Sequence, residues 1–298
     1  MNVASHLVRL GGVASRADLI AETSRADVDL ALAAGEIVRL SRGRYAAPVA
    51  HDALRAAGGL CGVVSHRSAA LHWGWQVKQP PPHPDVTVPR SRRRRAHYGS
   101  DVCLHWADLA PGDIDGWVTS RRRTLVDCLR LLPFDEALTI ADSALRNGSV
   151  TPAELRAIAA GMSGRGARRA RRIADAASPL AANPFESVLR AIGLDVPGLD
   201  LRPQVVIADK QGRGRPDLVD VERRLVVEAE SHSWHSRRGA LRRDCRRYTK
   251  LVLLDWRVLR FAWEDVMFHP DYVRECLEAF VALVDGPTKV HEARKSAA

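Results

Sequence analysis

Pro216-Asp217, followed after an interval of mostly strand-like sequence by Val226-Val227-Glu228-Ala229-Glu230, is the stretch on which the reading of this chain turns. Side chains alternate faces along a strand, so Glu228 and Glu230 project from one side of a sheet while Leu225, Val227 and Ala229 enter an apolar layer on the other. Crowding Asp217, Glu228 and Glu230 together costs free energy unless a cation compensates them. Hard oxygen ligands around one point suit Mg²⁺ or Mn²⁺. The competing reading of the same spacing is an edge strand whose acidic face is simply solvated.

The flanking sequence favours the metal. Beyond Glu230 lie Ser231-His232-Ser233-Trp234-His235 and then a strongly basic segment from Arg237 to Lys250. Arg238, Arg242 and Arg246 are spaced by four, as are Arg243 and Arg247, so a helix carries them as a broad basic face. Seven cations against one acid, Asp244, repel one another unless an anion lies against them. Carboxylates beside a basic helix suit phosphodiester cleavage: the acids hold metal, the arginines hold phosphate, and a histidine moves a proton.

These residues carry a resemblance. Asn183-Pro184-Phe185-Glu186, Arg215-Pro216-Asp217-Leu218, Val226 to Glu230, Trp234-His235, Arg243-Asp244-Cys245-Arg246-Arg247 and Asp255-Trp256-Arg257-Val258-Leu259-Arg260-Phe261-Ala262-Trp263-Glu264-Asp265-Val266 follow one another in the order of a known pattern. The segment from Asn183 to Val266 resembles the PD-(D/E)xK nuclease superfamily, and within it a domain of unknown function allied to very-short-patch-repair endonucleases. The resemblance implies a restriction-endonuclease-like mixed sheet flanked by helices. It also implies that Asp217 and Glu228 ligate metal, with Glu230 a ligand or water-orienting acid. Arg243 and Arg247 would stabilise the substrate phosphate.

The chain departs from that pattern in two places. Glu230-Ser231 replaces the usual Asp-Gly, and the position of the lysine is taken by Glu230, which leaves the water-activating group open. His235 is the candidate proton carrier; His232 has no motif partner. Glu186 opens an amphipathic pattern with Phe185, Val188, Leu189 and Ile192, with Asn183 as N-cap and Pro184 in the first turn. It reads either as a supporting acid of the site or as an ordinary first-turn carboxylate facing the helix dipole.

The remaining chain is bounded by composition. With 298 residues, 46% hydrophobic and 27% charged, it is a globular protein long enough for two or three domains. A net charge of +10 favours a polyanionic partner, and residues 1–100 hold most of that surplus, 14 basic against 7 acidic side chains. Cys61, Cys103, Cys128, Cys245 and Cys276 are scattered without a C-x-x-C pair, so neither a zinc knuckle nor a disulfide framework is indicated. The start of the chain lacks a signal-peptide core and no stretch approaches a membrane span, so a cytoplasmic protein with no membrane partner is expected.

Val3 to Leu10, a second helix opened by Ser15-Arg16-Ala17-Asp18, and a third from Ser24 to Ala34 precede a ribbon, Ile37 to Leu40 and Tyr45 to Pro48. Three helices and a ribbon make a winged helix-turn-helix, whose usual partner is DNA. Asp27 and Asp29 weaken the third helix as a phosphate contact, which leaves Arg39, Arg42 and Arg44 in the wing. A wing that contacts only protein is the alternative. The middle segment has a helix from Ser65, strands at Asp85 to Val88 and Val102 to Trp106, helices through Arg123 to Asp127 and Asp135 to Arg146, and an arginine-rich loop tip at Arg90 to Arg95. His66, His72 and Asp127 show no metal-ligand spacing and read as structural.

Val64-Ser65-His66-Arg67-Ser68-Ala69-Ala70, Arg123-Thr124-Leu125-Val126-Asp127 and the winged-helix opening make residues 1–160 similar to the AbiEi-like antitoxins of type IV toxin–antitoxin systems. That similarity implies operator DNA, and a cognate toxin, as partners. The expected architecture is thus modular α/β (α+β): a winged helix over 1–50, a small α/β domain over 51–160, a junction over 161–182, a nuclease-like domain over 183–285 and a disordered tail over 286–298. Its function is metal-dependent DNA cleavage, or, in the competing reading, non-catalytic DNA-binding regulation on a degenerate nuclease fold. The same groups would serve an RNA or repair-intermediate substrate.

Overall fold

Alternation along Leu225–Glu230 does produce a strand, and the elements around it assemble a mixed α/β protein. The computed structural model describes residues 2–10, 12–41, 43–92, 101–209, 212–230 and 238–296. The chain forms two compact units, Met1–Pro179 and Leu180–Ala298. No helix among the described residues is long and apolar enough to cross a membrane.

The first unit opens with α1 (Val3–Arg9), β1 (Val13–Ser15), α2 (Arg16–Glu22), α3 (Arg25–Ala33), β2 (Val38–Ser41) and β3 (Arg44–Ala46). Both Ser15 and Ser24 close reciprocal capping boxes, with Asp18 and Asp27 in the third helical position. The strands form an antiparallel sheet in the order β1-β3-β2, so the expected two-stranded ribbon gains a third strand, Val13–Ser15. Val3, Leu7, Leu19, Val28, Ile37 and Tyr45 make its core. Three helices on a small antiparallel sheet are the arrangement of a winged helix-turn-helix.

Next come α4 (Val49–Leu60), β4 (Val63–Val64), α5 (His66–His72), β5 (Asp85–Val88), β6 (Cys103–Trp106), β7 (Ile114–Asp115), β8 (Val118–Thr119), α6 (Arg121–Leu131), α7 (Phe134–Arg146), α8 (Pro152–Ala160) and α9 (Ala167–Ala176). The five strands run in the order β6-β5-β4-β8-β7, with β5 and β6 parallel. Helix α9 falls inside the stretch expected to be a junction. Its Ala167, Ala170, Ile173 and Ala174 are buried, so this part of the junction belongs to the core of the first unit. The close approach is made at Gly166, in a left-handed conformation with φ 83°, where a Cβ would lie 2.7 Å from the carbonyl oxygen of Arg130.

The second unit contains α10 (Pro184–Gly193), β9 (Arg202–Pro203), a hairpin of β10 (Ile207–Asp209) and β11 (Gly212–Gly214), β12 (Leu218–Asp220), β13 (Leu225–Glu230), α11 (Arg238–Leu253), β14 (Arg257–Ala262), α12 (Trp263–Phe268) and α13 (Pro270–Ser296). Its main sheet has the order β14-β13-β12-β9; β13 pairs antiparallel with β12 and parallel with β14. Phe185, Val188, Leu189 and Ile192 of α10 bury against Leu218, Leu225, Val227 and Phe261 on one sheet face, each such side chain stabilising by roughly 1.5–3 kcal/mol. Tyr248 and Leu251 of α11 cover Val219, Val226 and Val258 on the other. Helix α13 breaks at Gly286 (φ 73°, ψ 169°), and helical backbone then runs on to Ser296 where a disordered tail was expected. Pro287 tolerates the first helical position and several of the residues after it are good helix formers.

Candidate active site

The two strands that carry the acids meet in a register that decides their positions. Leu218 stands opposite Val227 and Val219 opposite Val226, so one step beyond the paired residues Asp217 stands opposite Glu228. Alternation puts Leu218, Leu225 and Val227 on the α10 face and leaves Val226 and Glu228 on the α11 face, with Asp217 on that side as well. The Asp217 carboxylate accepts a hydrogen bond of 2.9 Å from the backbone N–H of Ala229, which ties the start of β12 to its neighbour.

Glu228 is 3% exposed. Both of its oxygens are engaged by the Arg247 guanidinium, at 2.8 and 3.1 Å, in a bidentate pair. Arg247 also donates to the Tyr248 hydroxyl at 2.7 Å. Arg260, the β14 residue in register with Glu228, lies over the Tyr248 ring at 4.1 Å from its centroid. The pair therefore brings together the acid expected to ligate metal and an arginine expected to hold phosphate. Arg242 and Arg246, on the same helix, are exposed. The side chains of Glu230, Arg238 and Arg243, and His235 with the whole of 231–237, lie outside the described residues.

Glu186 is buried at the start of α10 and is held from three sides. It accepts from the Ala182 N–H at 2.9 Å, from the Asn183 side-chain amide at 2.9 Å and from the Gln204 amide at 3.3 Å. Asn183 in turn caps the helix by accepting from the Glu186 N–H at 3.0 Å. The first-turn role is thus fully developed, and a second link follows from it. Gln204, at φ 55°, donates its own N–H to the carbonyl of Asp217 at 3.0 Å, so Glu186 braces the segment that presents Asp217. Sequence reasoning missed Gln204, because its part depends on a left-handed backbone that no motif marks. It also missed Arg260, although strand alternation along Arg257–Ala262 contained the signal.

In the winged helix, both acids that weakened α3 are committed elsewhere. Asp27 serves the Ser24 cap and Asp29 pairs with Arg16 at 2.7 Å. Arg16 also donates to the buried Tyr45 hydroxyl at 3.0 Å, and that hydrogen bond is the main cause of a phenol titrating below its usual range. Arg39 is exposed on β2. Arg42 and the side chain of Arg44 lie outside the described residues.

A second cluster appears at residues that the sequence reading did not single out as ligands. Asp85, Cys103 and His105 bring one carboxylate oxygen, one sulfur and one ring nitrogen within 4.8 Å of one another, a group able to hold a metal ion. Among the described residues it is the one such cluster of three. Asp85 and Cys103 are cross-strand partners in the parallel β5–β6 pair, and Cys103 and His105 share a face two residues apart. The signal in sequence was that i, i+2 spacing alone.

No protein-family model matches the chain. Uncharacterized protein MT2308 of Mycobacterium tuberculosis (strain CDC 1551 / Oshkosh) and uncharacterized protein Rv2248 of strain ATCC 25618 / H37Rv are each 31% identical to it over 153 residues, 49% of this chain and 55% of theirs. The chain thus spans about half the length of the curated relatives it matches. Among solved structures, the RV2827C protein from Mycobacterium tuberculosis covers 63% of this chain and 79% of its own at 18% identity, with a TM-score of 0.31.

Proposed function

We propose that the second unit is a metal-dependent DNA endonuclease and that the winged helix of the first unit binds DNA. The observation that carries this reading is the strand register setting Asp217 opposite Glu228 on the sheet face covered by the basic helix α11. Two carboxylates on adjacent strands provide hard oxygen donors for Mg²⁺ or Mn²⁺, and Glu230 is the proposed further ligand or water-orienting acid. Bound there, the ion would supply a polarised phosphodiester and a more acidic water. Arg247 holds Glu228 in place through a bidentate pair, and Arg242 and Arg246 offer exposed charge to the DNA backbone. Glu186 and Gln204 position the Asp217 segment, and His235 takes the proton.

The test is nicking of supercoiled plasmid by the full chain with Mg²⁺ or Mn²⁺, set against Asp217→Ala and Glu228→Gln. Loss of nicking in both variants, by at least about a hundredfold, supports the reading; equal nicking by variant and wild-type chains removes it.

One observation favours a second reading, a non-catalytic DNA-binding regulator or antitoxin on a degenerate nuclease fold: both Glu228 oxygens already have a cation, Arg247. Under that reading no nicking occurs, and a gel shift on the DNA upstream of its own gene weakens with salt. The salt slope then falls by about one for each wing arginine removed, Arg39→Ala first.

A further inference from the structure

The polar cluster of the middle region has the chemistry of a site, and all of its residues belong to the first unit. We propose that Asp85, Cys103 and His105 bind a borderline transition-metal ion of the Zn²⁺ class, with His66 hydrogen-bonded to a water that completes the coordination. Carboxylate oxygen, thiolate sulfur and imidazole nitrogen are the donors such ions take, whereas Mg²⁺ avoids the sulfur and the ring nitrogen. The three donor atoms lie within 4.8 Å of one another, and one pair is already close to the separation required. Asp85 Oδ1 and His105 Nε2 lie 2.9 Å apart, against an edge of about 3.3 Å for a tetrahedron with bonds near 2.0–2.1 Å.

Independent support comes from His66. Its Nε2 is buried and has no hydrogen-bond partner, while its Nδ1 is fixed by Ser65 Oγ at 2.9 Å. An unpartnered buried polar atom costs about 1–3 kcal/mol. The residue also sits in a left-handed backbone conformation, φ 48°, in which a Cβ crowds the following carbonyl oxygen. Its ring stacks on that of His105, centroids 3.6 Å apart and planes 20° apart. Nearly parallel rings send their in-plane lone pairs side by side, so the two nitrogens do not converge on one ion. A metal-bound water beside His105 would give this orphaned nitrogen a partner.

The surroundings balance the charge. Arg67 approaches the other Asp85 oxygen at 3.4 Å and shares its charge with Glu136 at 3.6 Å. Without a cation the Cys103 thiol is pushed up, by burial first and by Asp85 second. Binding displaces that proton to solvent and leaves the thiolate on the metal, with Asp85 ionised and His105 neutral.

The experiment uses the full chain, stripped with a chelator and titrated with Co²⁺, then with Zn²⁺ in competition. One equivalent of Co²⁺ is expected to give a thiolate-to-cobalt charge-transfer band, and Zn²⁺ to erase it and raise Tm. The band is lost in Cys103→Ser, and His105→Asn weakens binding by at least about tenfold. It persists in the Cys61→Ser/Cys245→Ser double variant, which lacks the exposed thiols, and in Glu228→Gln, which separates this site from the acids of β13. His66→Gln keeps the band and weakens binding by about ten- to a hundredfold. No band in the wild type, or a band unchanged in Cys103→Ser, overturns the proposal. Should Cys103→Ser not fold, unchanged Co²⁺ affinity in His105→Asn overturns it equally.

Discussion

The acidic pocket on β13 and the histidine cluster between β5 and β6 solve the burial of charge in opposite ways. Around Glu228 the interactions are complementary: a buried carboxylate faces a bidentate arginine. Around Asp85 a buried carboxylate meets a histidine at 2.9 Å and an arginine at 3.4 Å, while the neighbouring His66 nitrogen has no hydrogen-bond partner. The first arrangement is closed by the protein itself, and an ion must compete with Arg247 to enter. The second holds an unanswered polar atom against ligand-type side chains, which is the condition a bound ion relieves.

The largest effect that tests this contrast is expected from Arg247→Met. It leaves Glu228 buried without its cation, and with Arg247 about a third exposed the loss of stability should be about 2–4 kcal/mol, read by urea denaturation. Pairing it with Glu228→Gln should restore most of that loss. A cost below about 0.5 kcal/mol for Arg247→Met would mean that the acidic pocket is not closed by the pair.

Asp85→Asn in metal-free protein should cost less, about 1–2 kcal/mol, because the neutral amide can still meet His105 and Arg67. Added Zn²⁺ should then raise Tm in wild type and leave this variant unmoved; an equal rise in both would erase the distinction drawn between the two regions.

Smaller still is the expected effect of Asp217→Asn on folding. An amide oxygen can keep the hydrogen bond from the Ala229 N–H, so stability should change by under about 1 kcal/mol while nicking disappears. Unfolding as severe as that of Arg247→Met would make Asp217 a structural residue.

The smallest effect concerns protonation in the middle region. Burial holds His72 below its usual 6.5, opposed by Asp115 and reinforced by Arg121. A histidine with a lowered folded pKa favours the neutral form, so its contribution is complete above pH 6.5 and declines as pH falls below it. Replacing it, as His72→Gln, should shrink the fall in Tm between pH 7.5 and pH 5.5 by roughly 1–3 °C. A fall of the same size in both proteins would place the pH dependence on other groups.

Much of the fold was legible along the chain because its signals are local. Ser15 with Asp18 and Ser24 with Asp27 close their capping boxes within one turn, and β13 follows directly from alternation. Helix α4 (Val49–Leu60) escaped notice although Ala53, Ala57 and Leu60 recur at helical spacing on its buried face, because alanine and glycine are weak apolar markers. Strand β1 is three residues long and exists only through its pairing with β3. The junction over 161–182 looked like a linker by composition, yet the alanines of α9 are small enough to let that helix pack closely into the first unit.

Sequence alone determined which side of its sheet Glu228 occupies and that a run of arginines follows, since strand alternation and helical spacing are properties of neighbouring residues. Tertiary structure decided what those groups meet. That Arg247 engages both oxygens of Glu228, that Glu186 braces Asp217 through Gln204, and that Asp85, Cys103, His105 and His66 gather in one place all depend on register and packing between segments far apart in the chain. No local pattern encodes such encounters, because they are selected by the burial of whole faces against one another.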